Sequence, residues 1–166
     1  MTIHAEHPFA DPEDRRDPVR RLRGRLVAPV TLWTAPGPAG LPVSSVLVVA
    51  GEPGRVLGVI DAESDLWTAI EESRRFAVAP LAPAHRQLAD RFAGVIPAPG
   101  GPFTGSQWRE TDYGPILADT GTWAGCTLDA ARPYGWGLLV EATIAHVELG
   151  TEPPLAYHRG RYHELA

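Results

Sequence analysis

The turn Thr34-Ala35-Pro36-Gly37-Pro38-Ala39-Gly40 constrains this chain more than any other stretch. Proline fixes φ and donates no hydrogen bond, and glycine takes backbone angles closed to other residues, so no helix or strand runs through it. An apolar run, Leu26–Trp33, enters the turn, and a second, Leu41–Ala50, leaves it. Two β-rich runs joined in this way predict a hairpin. The pattern repeats downstream. Gly51-Glu52-Pro53-Gly54 leads into a third strand, Arg55–Ile60, and Ser64-Asp65 opens a short helix, Leu66–Glu72, with Leu66, Trp67 and Ile70 on one side. A fourth strand, Arg75–Leu81, precedes a helix over Pro83–Ala93, and Gly94–Gly105 forms a Pro/Gly loop. Short strands are then expected around Gln107–Glu110 and over Pro115–Ala118, Thr122–Leu128, Gly137–Val147 and Leu155–His158. Short strands with two small helices between them predict a mainly β barrel, not a βαβ fold.

The N-terminal segment reads differently. Met1–Ala10 is expected to be a loose arm, and its His4 and His7 have no further metal ligands nearby. Asp11-Pro12 and Asp17-Pro18 each pair an acidic N-cap with proline at the first helical position, which predicts a helix over Asp11–Arg25. The chain thus divides into an arm and helix, 1–25, and one domain, 26–166. Its 166 residues, 44% hydrophobic and 21% charged, suffice for a globular core.

Composition removes several classes of chemistry. All 15 basic residues are arginine, so there is neither a lysine Schiff base nor a Walker-type phosphate loop. The formal charge of −5 argues against a nucleic-acid partner. No apolar run approaches the roughly 20 residues of a membrane span, and the polar start carries no signal-peptide pattern. The single Cys126 fits a reducing compartment, and the expected location is the cytoplasm. G-x-S-x-G, H-E-x-x-H and zinc-spaced cysteines are all missing, and His158 and His163 have no third ligand in view. Gly135-Trp136-Gly137 lacks the third glycine of a dinucleotide fingerprint and lies in an expected strand. A chain without its own nucleophile or metal centre points to borrowed chemistry, with the protein supplying position and electrostatics.

The paired hydroxyls Ser44-Ser45, beside the turn, are suited to holding a phosphate or the polar edge of a flat heterocycle. With them, an ordered series of motifs resembles the flavin reductase-like family, the FMN-binding split barrel. It runs from Ala28-Pro29-Val30-Thr31 through Gly40-Leu41-Pro42-Val43-Ser44-Ser45, Ile60-Asp61-Ala62-Glu63-Ser64 and Ser73-Arg74-Arg75-Phe76-Ala77-Val78. It continues in His85–Gly94, the Trp123/Cys126 strand and Pro154–Tyr162. The resemblance implies a Greek-key split barrel, a homodimer, and FMN (or FAD) bound at the subunit interface. It implies hydride transfer from NADH or NADPH to that flavin, and it allows a partner monooxygenase. Carried over position by position, Val43, Ser44 and Ser45 would line the flavin, Asp61, Ala62 and Ser64 would form a second contact loop, and Ala79 would lie near the ring. Arg86 and Arg91 are the candidates for phosphate charge. No residue is assigned as a catalytic acid or base, or as a metal ligand.

The chain departs from the family pattern at several points. Tyr134-Gly135-Trp136 stands where nicotinamide-using members carry Gly-Asp-His, which puts Trp136 on the substrate or nicotinamide side. Leu66 replaces a frequent threonine, Ala77 an asparagine, and Pro42 a threonine. These departures leave open a flavin- or haem-binding module without turnover, or a flavoprotein that reduces a dedicated organic substrate.

Overall fold

Seven antiparallel strands form the main sheet of the computed structural model, which describes residues 17–165, in the order β3-β2-β6-β9-β10-β5-β4. They are β2 (Thr31–Ala35), β3 (Ala39–Val43), β4 (Val46–Val49), β5 (Arg55–Ile60), β6 (Arg75–Pro80), β9 (Trp123–Tyr134) and β10 (Gly137–Glu148). The outermost strands, β3 and β4, are neighbours in sequence, separated only by Ser44-Ser45. Laid flat, six strand spacings would put these edges about 29 Å apart. The three residue steps from Val43 to Val46 span at most about 11 Å. The sheet must therefore curl until its edges meet, and the Val59 amide, donating to the Ser45 carbonyl at 3.0 Å, carries the β4–β5 ladder one residue further, up to that corner.

Two expected strands are divided, each for a local reason. Pro29 has no N–H to continue a ladder. Ala28–Pro29 (β1) therefore pairs with β11 (Leu155–His158), while β2 enters the main sheet. Leu41–Ala50 breaks at Ser44-Ser45, where the chain crosses from one edge of the sheet to the other. In the opposite sense, β9 runs on to Tyr134, beyond the expected Leu128. Its second half is mostly exposed and is held by pairing with β10, so no apolar pattern marked it. The β12 strand (Arg161–Glu164) was not anticipated either, because its charged residues offer no apolar face. It is folded back by Arg159-Gly160, both at positive φ (50° and 78°), as a tight two-residue hairpin requires.

Three α-helices, with a 3-10 turn at Pro83–His85, complete the described residues. Pro18–Arg25 (α1) starts from Asp17, whose carboxylate accepts from the Val19 amide at 3.0 Å. The expected residues 11–16 of that helix, and the arm with His4 and His7, lie outside the described residues. Asp65–Ser73 (α2) buries Leu66, Ala69 and Ile70. Arg86–Phe92 (α3) buries Leu88, Ala89 and Phe92. Two short strands, β7 (Trp108–Arg109) and β8 (Ile116–Leu117), form a separate ladder.

Side chains fill the barrel. Trp33, wholly buried, stacks on Phe76 at 4.7 Å among Val43, Ile60, Val140 and Cys126. Burial pushes the Cys126 thiol up to about 12, which makes it an inert packing group. A second cluster joins α3 to the β1-β11-β12 sheet through Leu81, Leu88, Phe92 and Leu155.

Glu148 ties β7 to the main sheet, accepting from Trp123 Nε1 and from Arg109 Nη2 at 3.1 Å. Those hydrogen bonds, Trp123 first, then Arg109 and His146, hold its carboxyl below the ordinary range. A depressed folded pKa adds stability above the unfolded value of about 4.3, and this is lost as pH falls through the folded value. Glu148→Gln is expected to flatten the acid limb of the melting-temperature profile below about pH 4. An acid limb identical to that of the parent protein would count against this role.

Candidate functional site

The seam gathers most of the residues singled out in the sequence. Val43 ends β3 fully buried, and its carbonyl accepts from Thr31 Oγ1. Ser44 is buried at the corner and Ser45 half-buried, with Val46 opposite Gly58 on β5. Gly58 is required there. A Cβ at this position would lie 2.5 Å from Trp33 Cζ2 and Cη2 and 3.1 Å from the Ser45 carbonyl. Sequence reasoning passed over it, although a lone glycine inside an apolar strand is a signal of close backbone approach.

Beyond β5 the chain turns through Asp61-Ala62-Glu63-Ser64. Asp61 Oδ1 accepts from the Glu63 amide at 2.8 Å, and its carbonyl accepts from Ser64 Oγ at 2.7 Å. Ser64 Oγ in turn accepts from the Trp67 amide at 3.1 Å and caps α2. Asp61 lies two strand residues beyond Val59, about 7 Å from its contact with Ser45. The amides of Asp65 and Leu66, in the first turn of α2, have no acceptor within the helix. Ala79, buried in β6, pairs with Leu32, and β2 alone separates β6 from β3.

The tip of the β9–β10 hairpin borders the same region. Leu138 pairs with Ile60, and a Cβ on Gly137 would lie 2.5 Å from Val59 Cγ1. Trp136 is 92% exposed at that tip. The expected strand context at Gly135-Trp136-Gly137 is therefore corrected: Gly135 and Trp136 form a two-residue turn, entered by Gly135 at φ +58°. Of the departures from the family pattern, Leu66 and Ala77 are buried core residues.

Arg86 and Arg91 sit elsewhere, on α3. That helix leans on β3 at Gly40, where a Cβ would come within 2.8 Å of the Phe92 ring. Arg86 is paired with Glu164 of β12 at 3.1 Å, and Arg91 donates to the Thr104 carbonyl and Ser106 Oγ at 3.3 Å. The seam thus brings together Val43, Ser44, Ser45, Asp61, Ala62 and Ser64, with Ala79 one strand away and Trp136 on the neighbouring tip. The two arginines are engaged in other contacts.

A flavin fits what the seam offers. Ser45, Ala62 and Ser64 carry short side chains, hydroxyls flank the corner, and the start of α2 presents unclaimed amides suited to a phosphate or a polar ring edge. The acidic groups of Asp61, Glu63 and Asp65 surround that turn, so donors to an anion there come from the main chain and the hydroxyls.

Comparison with known proteins identifies the family. Residues 23–166 match the flavin reductase like domain. The chain is 28% identical over 159 residues to FMN reductase (NADH) RutF 2 of Rhizobium rhizogenes, covering 93% of this chain and 91% of that protein. It is 27% identical to the reductase component of the 4-nitrophenol 4-monooxygenase/4-nitrocatechol 2-monooxygenase of Rhodococcus opacus, covering 86% and 77%. Among solved structures, nitrilotriacetate monooxygenase component B from Mycobacterium thermoresistibile superposes with TM-score 0.79 at 28% identity, over 89% of this chain and 85% of that one. The flavin reductase PheA2 shares the fold at TM-score 0.81 and 23% identity, over 91% and 99%. The curled sheet, its seam and the match over residues 23–166 lead to one conclusion: this chain is a split-barrel member of the flavin reductase-like domain family.

Proposed function

We propose that this protein is an NAD(P)H-dependent flavin oxidoreductase that holds FMN, or FAD, along the Ser44-Ser45 seam. The observation that carries the reading is the corner itself. Two hydroxylated residues join opposite sheet edges beside the capped turn into α2, in a chain whose relatives include FMN reductases (NADH). When bound, the flavin supplies the two-electron acceptor, taking hydride from C4 of the reduced nicotinamide. Ser44 and Ser45 bind its polar edge, and the first amides of α2 hold negative charge. Ala62 and Ala79 let the main chain approach the ring closely. Trp136, in place of the family histidine, stacks on the nicotinamide side and excludes water from the reacting faces. No side-chain acid or base is assigned, because hydride transfer requires orientation more than proton transfer.

The protein is proposed to work as a homodimer in the cytoplasm. The edge strand β4 exposes Leu47, Val48 and Val49, and such an edge calls for cover. A relative that is the reductase component of a monooxygenase supports an oxygenase as the recipient of reduced flavin. A second reading, a flavin or haem carrier or a flavoprotein dedicated to one organic substrate, draws on Trp136 at the histidine position. Anaerobic NADH oxidation with excess FMN separates them. Many turnovers per protomer are expected; FMN binding without NADH oxidation would leave only the carrier or a dedicated flavoprotein. Failure to bind FMN would end the flavin reading altogether.

A further inference from the structure

Three arginines among the described residues close on carboxylates at 3.1 Å: Arg55 on Asp129, Arg86 on Glu164 and Arg109 on Glu148. Arg91 does not. Its Nη1 and Nη2 reach only neutral acceptors, the Thr104 carbonyl and Ser106 Oγ, both at 3.3 Å and so beyond the ordinary N–H···O range. Its Nε is shut off from water with no acceptor at all. The adjacent carboxylate, Asp90, is taken by the Tyr162 hydroxyl at 2.7 Å. Among the described residues no carboxylate is in ion-pair contact with this half-buried guanidinium, which leaves its donors open to an anion from outside.

This guanidinium lines a cleft of about 380 Å³ between α3 and the β7–β8 ladder. Gln87, Ser106 and Gln107 add neutral hydrogen-bonding groups, while Leu88 and Leu117 give it an apolar wall. Across the cleft, His85 Nδ1 accepts from the Ala82 amide at 3.0 Å, so its proton sits on Nε2 and is donated to Asp119 Oδ2 at 3.0 Å. The loop that carries Ser106 and Gln107 is anchored by packing outside the cleft. Phe103 packs edge-on to Phe92 at 4.8 Å and against Trp108 at 4.8 Å, and Trp108 Nε1 donates to the Phe103 carbonyl at 2.8 Å. The size is that of a small-molecule site.

We propose that this cleft is a second binding site, separate from the seam, for a small organic carboxylate. The carboxylate pairs with Arg91 and the amide of Gln87 or Gln107, and the apolar body lies between Leu88 and Leu117. Asp119 already offsets the guanidinium across the cleft, so a monoanion leaves one net negative charge there and a phosphate dianion about two, which favours the monoanion of the two. Arg91 therefore serves this ligand and not the flavin phosphate.

Benzoate is the probe, titrated into the full-length protein and followed by amide shifts in proton–nitrogen spectra. Saturable shifts at Gln87, Ser106, Gln107 and Asp119 are expected, in the millimolar range. Arg91→Gln should weaken binding about tenfold, because a charge-assisted pair is lost. Gln107→Glu, an exposed and structurally mild change, should abolish binding by adding a second carboxylate to the one Asp119 already places in the cleft, and it keeps the test alive should Arg91→Gln not fold. Inorganic phosphate should bind more weakly than benzoate. Absence of saturable shifts, shifts confined to the seam, variants that bind benzoate like the parent, or phosphate binding as tightly as benzoate would each overturn the proposal.

Discussion

Gly58→Val is expected to destabilise the barrel by about 3 kcal/mol or more, a large share of the roughly 5–15 kcal/mol typical of a domain. The reason is geometric. The first added carbon would sit 2.5 Å from two ring carbons of Trp33, well inside van der Waals contact, and 3.1 Å from the Ser45 carbonyl. Trp33 cannot swing aside, because it is fully buried and stacked on Phe76. The main chain of β5 cannot retreat without breaking its pairing with Leu47–Val48 on one side and Leu139–Val140 on the other. The strain must therefore fall on the end of the β4–β5 ladder, where the Val59 amide meets the Ser45 carbonyl at the corner. Urea denaturation would report the loss, and FMN affinity should fall with it. A shorter ring at position 33 should recover part of the stability in the Gly58→Ala background, since it removes the opposing atoms. A Gly58→Val protein with an unchanged urea midpoint would mean that the seam is far softer than its packing implies.

The second large effect concerns the seam as a ligand site. Removing both hydroxyls, Ser44→Ala with Ser45→Ala, is expected to weaken FMN binding by about 10- to 100-fold, each lost hydrogen bond counting for roughly 0.5–1.5 kcal/mol. Ser44 is buried, so its change should also lower stability slightly. Ser45→Ala alone separates the two effects. Its carbonyl, which accepts the Val59 amide, is main chain and survives the substitution. Fluorescence titration with FMN reads the affinity, and circular dichroism checks that the barrel persists. A dissociation constant within twofold of the parent for the double variant would place the flavin away from this corner.

The sequence by itself determined the alternation of short strands with Gly/Pro turns, the hairpin around Pro36–Gly40, and the caps that start α1 and α2. Each of these depends on the sterics and hydrogen bonds of a few consecutive residues, which neighbouring side chains record directly. The corner at Ser44-Ser45 was legible as a special place, though not as the seam of a closed sheet. Only the tertiary structure decided that β3 and β4 lie on opposite edges, that Gly58 must give way to Trp33, and that Trp136 stands at a hairpin tip. The same holds for Arg86 and Arg91, whose partners Glu164 and Ser106 belong to distant or irregular segments that no local pattern pairs with α3. Strand closure and ion pairing set the neighbours of a residue across long stretches of chain, and periodicity carries no information at that range.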